Sequence, residues 1–309
     1  MHNLAEYIAH SNLINFLVLA FIIALVFQKA IKTKINDAYK ESVKEVEDSE
    51  VQKNKSFEKL AEIKASYESI DFEINEGEMV AIMGPSGSGK STMLNAIAGV
   101  WPVDSGSIVI DGVDVTKQPE YKRAKYIGRV FQDPMMGTAA NMQIEENLAI
   151  ASRRGKFPGL AWSSKAKQKE LFREMLAELD LGLEDRLTSK VGLLSGGQRQ
   201  AITLLMATLS QPKLLLLDEH TAALDPKTAA KVLELTERIV TRDKLTTLMI
   251  THNMKDALRY GNRLIMLHNG NIIIDVAGEE KAKLDVPDLL KMFEQASGDA
   301  LASDRMLLT

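Results

Sequence analysis

Hydrophobic positions divide the chain into two regions of different period. From Leu13 to Phe27 they run almost unbroken (LINFLVLAFIIALVF), with Asn15 the one polar interruption. With its flanks this run barely reaches the ~20 residues that a bilayer-spanning helix needs. Lys29, Lys32 and Lys34 follow it and Glu6 precedes it, which by the positive-inside bias puts the carboxyl side in the cytoplasm. Residues 1–30 are therefore read as a membrane helix, with a buried apolar helix as the open alternative. Ile31, Ile35, Ala38, Val43 and Val46 then recur at helical spacing among mixed charges. They predict a helical linker over 31–56 whose weak stripe either meets another helix or is simply solvated.

Residues 1 to 76 contain neither Gly nor Pro, and from Gly77 onward both recur at loop spacing. In this second region β-rich runs alternate with helical ones. Strands are predicted at Glu78–Met83, Ser107–Ile110, Ile127–Phe131, Lys213–Leu217 and Thr246–Ile250, and helices at Lys90–Ala98, Lys165–Leu179, Gln198–Leu209 and Lys227–Thr241. A continuous apolar run such as Leu214–Leu217 is what a strand covered on both faces looks like. The fold class that follows is α/β, with a mainly parallel central sheet.

Composition narrows the chemistry. The chain has 309 residues, no cysteine and a formal net charge of −4. Disulfides and thiolate metal sites are excluded, and a reducing compartment such as the cytoplasm is the simpler setting. No dense Lys/Arg run is present, so no nucleic-acid partner is expected.

The strand EMVAIM leads into GPSGSGKST, residues Gly84, Pro85, Ser86, Gly87, Ser88, Gly89, Lys90, Ser91 and Thr92, and a helix follows. Strand, glycine-rich loop and helix start are the context of a phosphate-binding loop. Its backbone N–H groups turn inward at a helix end that favours anions. Lys90 would reach the β- and γ-phosphates of ATP, and Ser91 would offer its hydroxyl to Mg²⁺, which takes few protein ligands. In LLLLDE, Asp218 ends a buried strand where a carboxylate can hold Mg²⁺, and Glu219 can act as general base toward the attacking water. In LSGGQRQ, Ser195, Gly196, Gly197 and Gln198 open a helix and form a second donor cluster. Either two copies of the chain meet head to tail, each completing the other's phosphate site, or Ser195 is an ordinary helix cap.

On these motifs, from about Ile70 to Phe293, the chain resembles the ATPase subunit of ATP-binding cassette (ABC) transporters. The resemblance implies that Gln132 in VFQDP touches Mg²⁺ and the attacking water, that Asp225 in AALDP is the D-loop aspartate and belongs with the cofactor-binding residues, and that His252 in ITHN contacts the γ-phosphate. It implies an ABC ATPase domain over 57–293, a helical subdomain over about 133–205 that docks on separate permease subunits, and a tail over 294–309. The setting implied is the cytoplasmic face of the inner membrane. Two runs, EYKRAKYIGRVFQDPMMGTAANMQIEENLAIA and VGLLSGGQRQAITLLMATLSQPKLLLLDEHTAALDPKT, resemble a bacterial importer branch for which aromatic amino acids are suggested cargo. His220 stands there where most relatives have Pro. GPSGSGKST itself is closer to lipoprotein and macrolide exporters. Residues 3 to 48 resemble the start of subunit b of F-type ATP synthases, so a membrane-anchored scaffold with a degenerate cassette is a second reading. The adenine-stacking aromatic is either Phe57 or Tyr67.

Overall fold

The computed structural model describes residues 70–155 and 166–298. The expected membrane helix, the linker, Phe57 and Tyr67 lie outside the described residues. The described residues belong to one compact unit. Among the described residues, no helix is long and apolar enough to cross a membrane.

The chain runs β1 (Met79–Met83), α1 (Lys90–Ala98), β2 (Val109–Ile110), β3 (Val113–Asp114), α2 (Glu120–Arg123), β4 (Ile127–Val130), α3 (Ile144–Ala151) and α4 (Ala166–Ala177). It continues through α5 (Gly196–Thr208), β5 (Leu214–Asp218), α6 (Pro226–Asp243), β6 (Thr247–Ile250) and α7 (Met254–Arg259). It ends with β7 (Arg263–His268), β8 (Asn271–Ala277), α8 (Gly278–Ala282) and α9 (Val286–Ser297). The main sheet has the order β4-β5-β6-β1-β7-β8, with β8 antiparallel to β7 and the rest parallel. This is the α/β architecture with a mainly parallel sheet that the apolar runs predict.

Strand alternation builds two cores, one on each face. Met79, Ala81 and Met83 of β1 join Leu215 and Leu217 of β5 in the larger core, which also takes in α3 to α7 and α9. Val80, Ile82, Leu214 and Leu216 point into the smaller core against α1. Each fully buried aliphatic side chain is worth roughly 1.5–3 kcal/mol, so an all-apolar strand is favoured only where both faces are covered. The stretch from residue 70 to 78 is not a strand, yet Ile70, Phe72 and Ile74 alternate inward onto the smaller core.

The hairpin β7–β8 is not among the elements the periodicity predicts. Its turn is an Asn-Gly pair, Asn269 and Gly270, with φ of 47° and 83°, the combination that a two-residue hairpin turn favours. α9 runs through Phe293 to Ser297, across the expected start of the tail at 294.

Candidate active site

Three neighbouring strands, β5, β6 and β1, end together, and each hands its next residues to the same place. The backbone locks these ends to one another: Glu219 N–H donates to Ile250 at 3.1 Å, and Thr251 N–H donates to Ile82 at 3.1 Å. Ligands of open α/β sheets gather at such carboxyl edges.

β1 leads into the glycine-rich loop. Gly84 has φ 151°, and a Cβ there would lie 2.2 Å from the Leu267 carbonyl oxygen, so no other residue fits. Gly270 N–H donates to Ser88 O at 3.1 Å. The hairpin that periodicity does not reveal is thus the wall against which the phosphate loop is packed. Gly89 forms the left-handed start of α1, whose first residue, Lys90, is buried and donates to Gly84 O at 2.8 Å and Pro85 O at 2.9 Å. Burial pulls the Lys90 amine below its ordinary value, and the carboxylates of Glu219 and Asp218 push it back up. The buried Ser88 hydroxyl has no partner among the described residues. Ser91 is exposed on the first turn of α1. Three loop glycines with positive φ, an orphaned buried hydroxyl and a buried cation at a helix start fit a bound polyphosphate.

Asp218 ends β5 half-buried. Burial raises its carboxyl above the usual value, and Arg129, at 3.4 Å, opposes that rise. Glu219 takes φ 46°, a left-handed backbone that a non-glycine residue adopts at a cost of about 1 kcal/mol or more. His252 Nε2 lies 2.5 Å from Glu219 Oε1. An ionised carboxylate only accepts, so Nε2 carries the proton of that bond. Gln132 and Asp218 both line a groove of about 710 Å³. Oxygen donors from Ser91 and Asp218 suit Mg²⁺.

His220, buried, sits beside Glu219 with its ring nitrogen 3.1 Å from Thr236 Oγ1, whose own proton goes to Val232 O at 2.8 Å. His220 is therefore the donor. Burial lowers it to about 4, so it is neutral at ordinary pH. It anchors the segment after Glu219 onto α6.

The second donor cluster opens α5 and is held by local bonds. Ser195 caps α5: its hydroxyl accepts from Gln198 N–H at 3.3 Å, and Gln198 Oε1 accepts from Ser195 N–H at 3.2 Å. None of their hydrogen bonds reaches the phosphate loop. A Cβ on Gly197 would meet Thr228 Cγ2 at 2.1 Å, so this glycine lets α5 and α6 cross closely. Ser195 and Gly196 are exposed. Asp225 caps α6 by accepting from Thr228 N–H at 3.1 Å, and the Thr228 hydroxyl, followed by that N–H, lowers its carboxyl.

Sequence reasoning missed Arg129 and Asn95. They come from different elements, and no local pattern marks them.

A loop that cradles phosphates, a strand-end Asp and an adjacent Glu paired with His define a nucleotide triphosphatase with a mainly parallel sheet. The family model described as ABC transporter matches residues 67–222. The tyrosine transport ATP-binding protein of Clostridioides difficile is 48% identical over 230 residues, which are 74% of this chain and 91% of that protein. The thiamine import ATP-binding protein ThiQ of Photorhabdus laumondii is 36% identical over 221 residues, 70% of this chain and 89% of that one. The dimeric post-hydrolysis structure of an ATP-binding cassette bound to ADP and Pi superposes with a TM-score of 0.59 at 31% identity, covering 69% of this chain and 90% of that chain. The chain belongs to the ABC transporter family as an ATP-binding subunit, and its activity is ATP hydrolysis.

Proposed function

We propose that this ATPase powers uptake of an aromatic amino acid through separate permease subunits at the cytoplasmic face of the inner membrane. The observation that carries the cargo class is the 48% identity to a tyrosine transport ATP-binding protein. The thiamine importer subunit supports the import direction. Cargo specificity itself would reside in the permease.

In the proposed chemistry Glu219 accepts a proton from the attacking water, and His252 Nε2–H holds one carboxylate oxygen so that the other faces the water. Lys90 turns from its own loop carbonyls to the β- and γ-phosphates of ATP. Ser91 and Asp218, with Gln132 in reach, would hold Mg²⁺, which when bound supplies positive charge to the phosphate oxygens. Ser195, Gly196, Gly197 and Gln198 of a second copy would close over the γ-phosphate, with Asp225 at the seam. The exposure of Ser195, Gly196 and Asp225 supports that head-to-tail arrangement. Residues 1–30 are proposed as an added membrane anchor on a linker over 31–56.

The test is uptake of labelled tyrosine by cells carrying the chain and its co-purifying permease. Lys90→Ala should abolish uptake, and unlabelled phenylalanine should compete. Unchanged tyrosine uptake in the Lys90→Ala cells would remove the cargo assignment.

A further inference from the structure

Asp218 already has a cationic neighbour built into the fold. Arg129 lies on β4 opposite Leu216 of β5, so Asp218, two residues on, shares its face one diagonal step away. The guanidinium is fixed from three sides. Its Nη2 donates to Asn95 Oδ1 at 2.8 Å and reaches Asp218 Oδ2 at 3.4 Å, and its central carbon lies 4.6 Å from the Phe131 ring centroid. The Arg129 and Asp218 side chains are only 14% and 17% exposed. Arg129 Nε is buried without a partner among the described residues, so the fork is spent on this geometry at the expense of one of its own donors.

We propose that Arg129 is a positioning residue that stands in for a cation beside Asp218 and sets how strongly magnesium and ATP binding depend on each other. The proposal rests on the assignment of Asp218 as the residue that holds Mg²⁺. A carboxylate this shielded from water needs a compensating charge. With Arg129 present, the pocket keeps a balanced charge and accepts the highly anionic metal-free nucleotide. The same guanidinium repels an arriving divalent cation. Removing it leaves a site more hostile to metal-free ATP and more attractive to the metal, so the coupling between the two ligands rises, reciprocally for each. Asn95 and the Phe131 ring hold the charge at the carboxylate. A lysine at this position would keep the charge without the fork and the stack.

The experiment measures binding of a non-hydrolysable ATP analogue to the full chain in excess EDTA and in excess Mg²⁺. The ratio of the two dissociation constants reads the coupling without any turnover. Arg129→Met should raise this ratio about tenfold, the size expected of a partly screened unit charge at this range. Arg129→Lys should remain within about threefold of the parent chain, since it keeps the charge. In the Asp218→Asn background, Arg129→Met should raise the ratio by a smaller factor than in the parent chain, a dependence on the carboxylate that a purely structural role for Arg129 would not produce. Asn95→Leu frees the guanidinium from its fixed acceptor and should move the ratio the same way by a smaller factor, and it carries the test where Arg129→Met lowers the folded fraction seen by circular dichroism. An unchanged ratio in a folded Arg129→Met chain, or in Asn95→Leu where that variant carries the test, overturns the proposal. If Asp218→Asn alone fails to lower the ratio, the assignment of Asp218 to the metal falls instead, and the two failures are distinct.

Discussion

His252 Nε2 stands 2.5 Å from Glu219 Oε1, although the two residues follow different strands, β6 and β5. The bond reaches a carboxylate whose backbone is in the left-handed region and is held there by Glu219 N–H donating to Ile250 O. On the proposed role of Glu219 as base, His252 would orient a carboxylate that the backbone has already aimed. His252→Ala should lower kcat by about 10²-fold, within the usual range for general acid–base and positioning groups. ATP binding should change by less than about threefold. Phosphate release and equilibrium nucleotide binding, measured on the same preparation, check the split.

The crossing of α5 and α6 depends on the missing side chain at 197. Gly197→Ala puts a methyl 2.1 Å from Thr228 Cγ2 and should cost about 1–3 kcal/mol of unfolding free energy through overpacking. Thr228→Ser removes that methyl, so the double variant should recover most of the loss, a coupling that urea denaturation of all four chains would read out.

Arg123 closes the carboxyl end of the helix that begins with Lys90. Although buried, it donates to Ala96 O, Ile97 O, Gln118 O and Thr116 O at 2.7 to 2.8 Å. Arg123→Met leaves several buried carbonyls without donors and should destabilise the fold by about 3 kcal/mol or more. Arg123→Lys should recover little, because one ammonium cannot span four acceptors in this planar arrangement. Thermal unfolding of the three chains compares them directly.

Lys281 supplies a pH signature. Its buried amine donates to Tyr260 O at 2.9 Å and Gly261 O at 2.7 Å, and burial lowers it from 10.5 to about 8. Between those values the unfolded chain binds more protons than the folded one, so this lysine makes stability rise with pH. The penalty is fully present below pH 8. Relative to Lys281→Met, the parent chain should gain up to about 1.4 kcal/mol per pH unit across that window. Denaturant unfolding at pH 7, 8.5 and 10 checks the sign, and a flat difference would contradict it.

The parts of the site that were legible in the sequence are those built from contiguous residues. Gly84 to Thr92 and Leu214 to Glu219 declare themselves because each strand, its loop and its candidate site residues are consecutive, and the observed helix Lys90–Ala98 has the predicted bounds. Arg129 was not legible, because its partners Asn95 and Asp218 lie 34 and 89 residues away and strand periodicity says nothing about which charges meet across a sheet. The hairpin β7–β8 carried an Asn-Gly signal that its near-continuous apolar run obscured. Ser195 shows the opposite case: the cap and the donor cluster are the same residues, so the helix-cap reading holds within one chain. The donor-cluster reading needs the second copy.

That second copy is where the account is most exposed. Glu219→Gln keeps the shape of the base and removes its ability to take a proton, so ATP would bind and remain intact. Sedimentation of the purified Glu219→Gln chain with and without Mg²⁺ and ATP is the most direct measurement. The account predicts a doubling of mass with ATP, none with ADP, and phosphate release reduced at least about 10²-fold. A chain that stays at the mass of one copy under saturating ATP, or that still hydrolyses ATP at the parent rate, would contradict it.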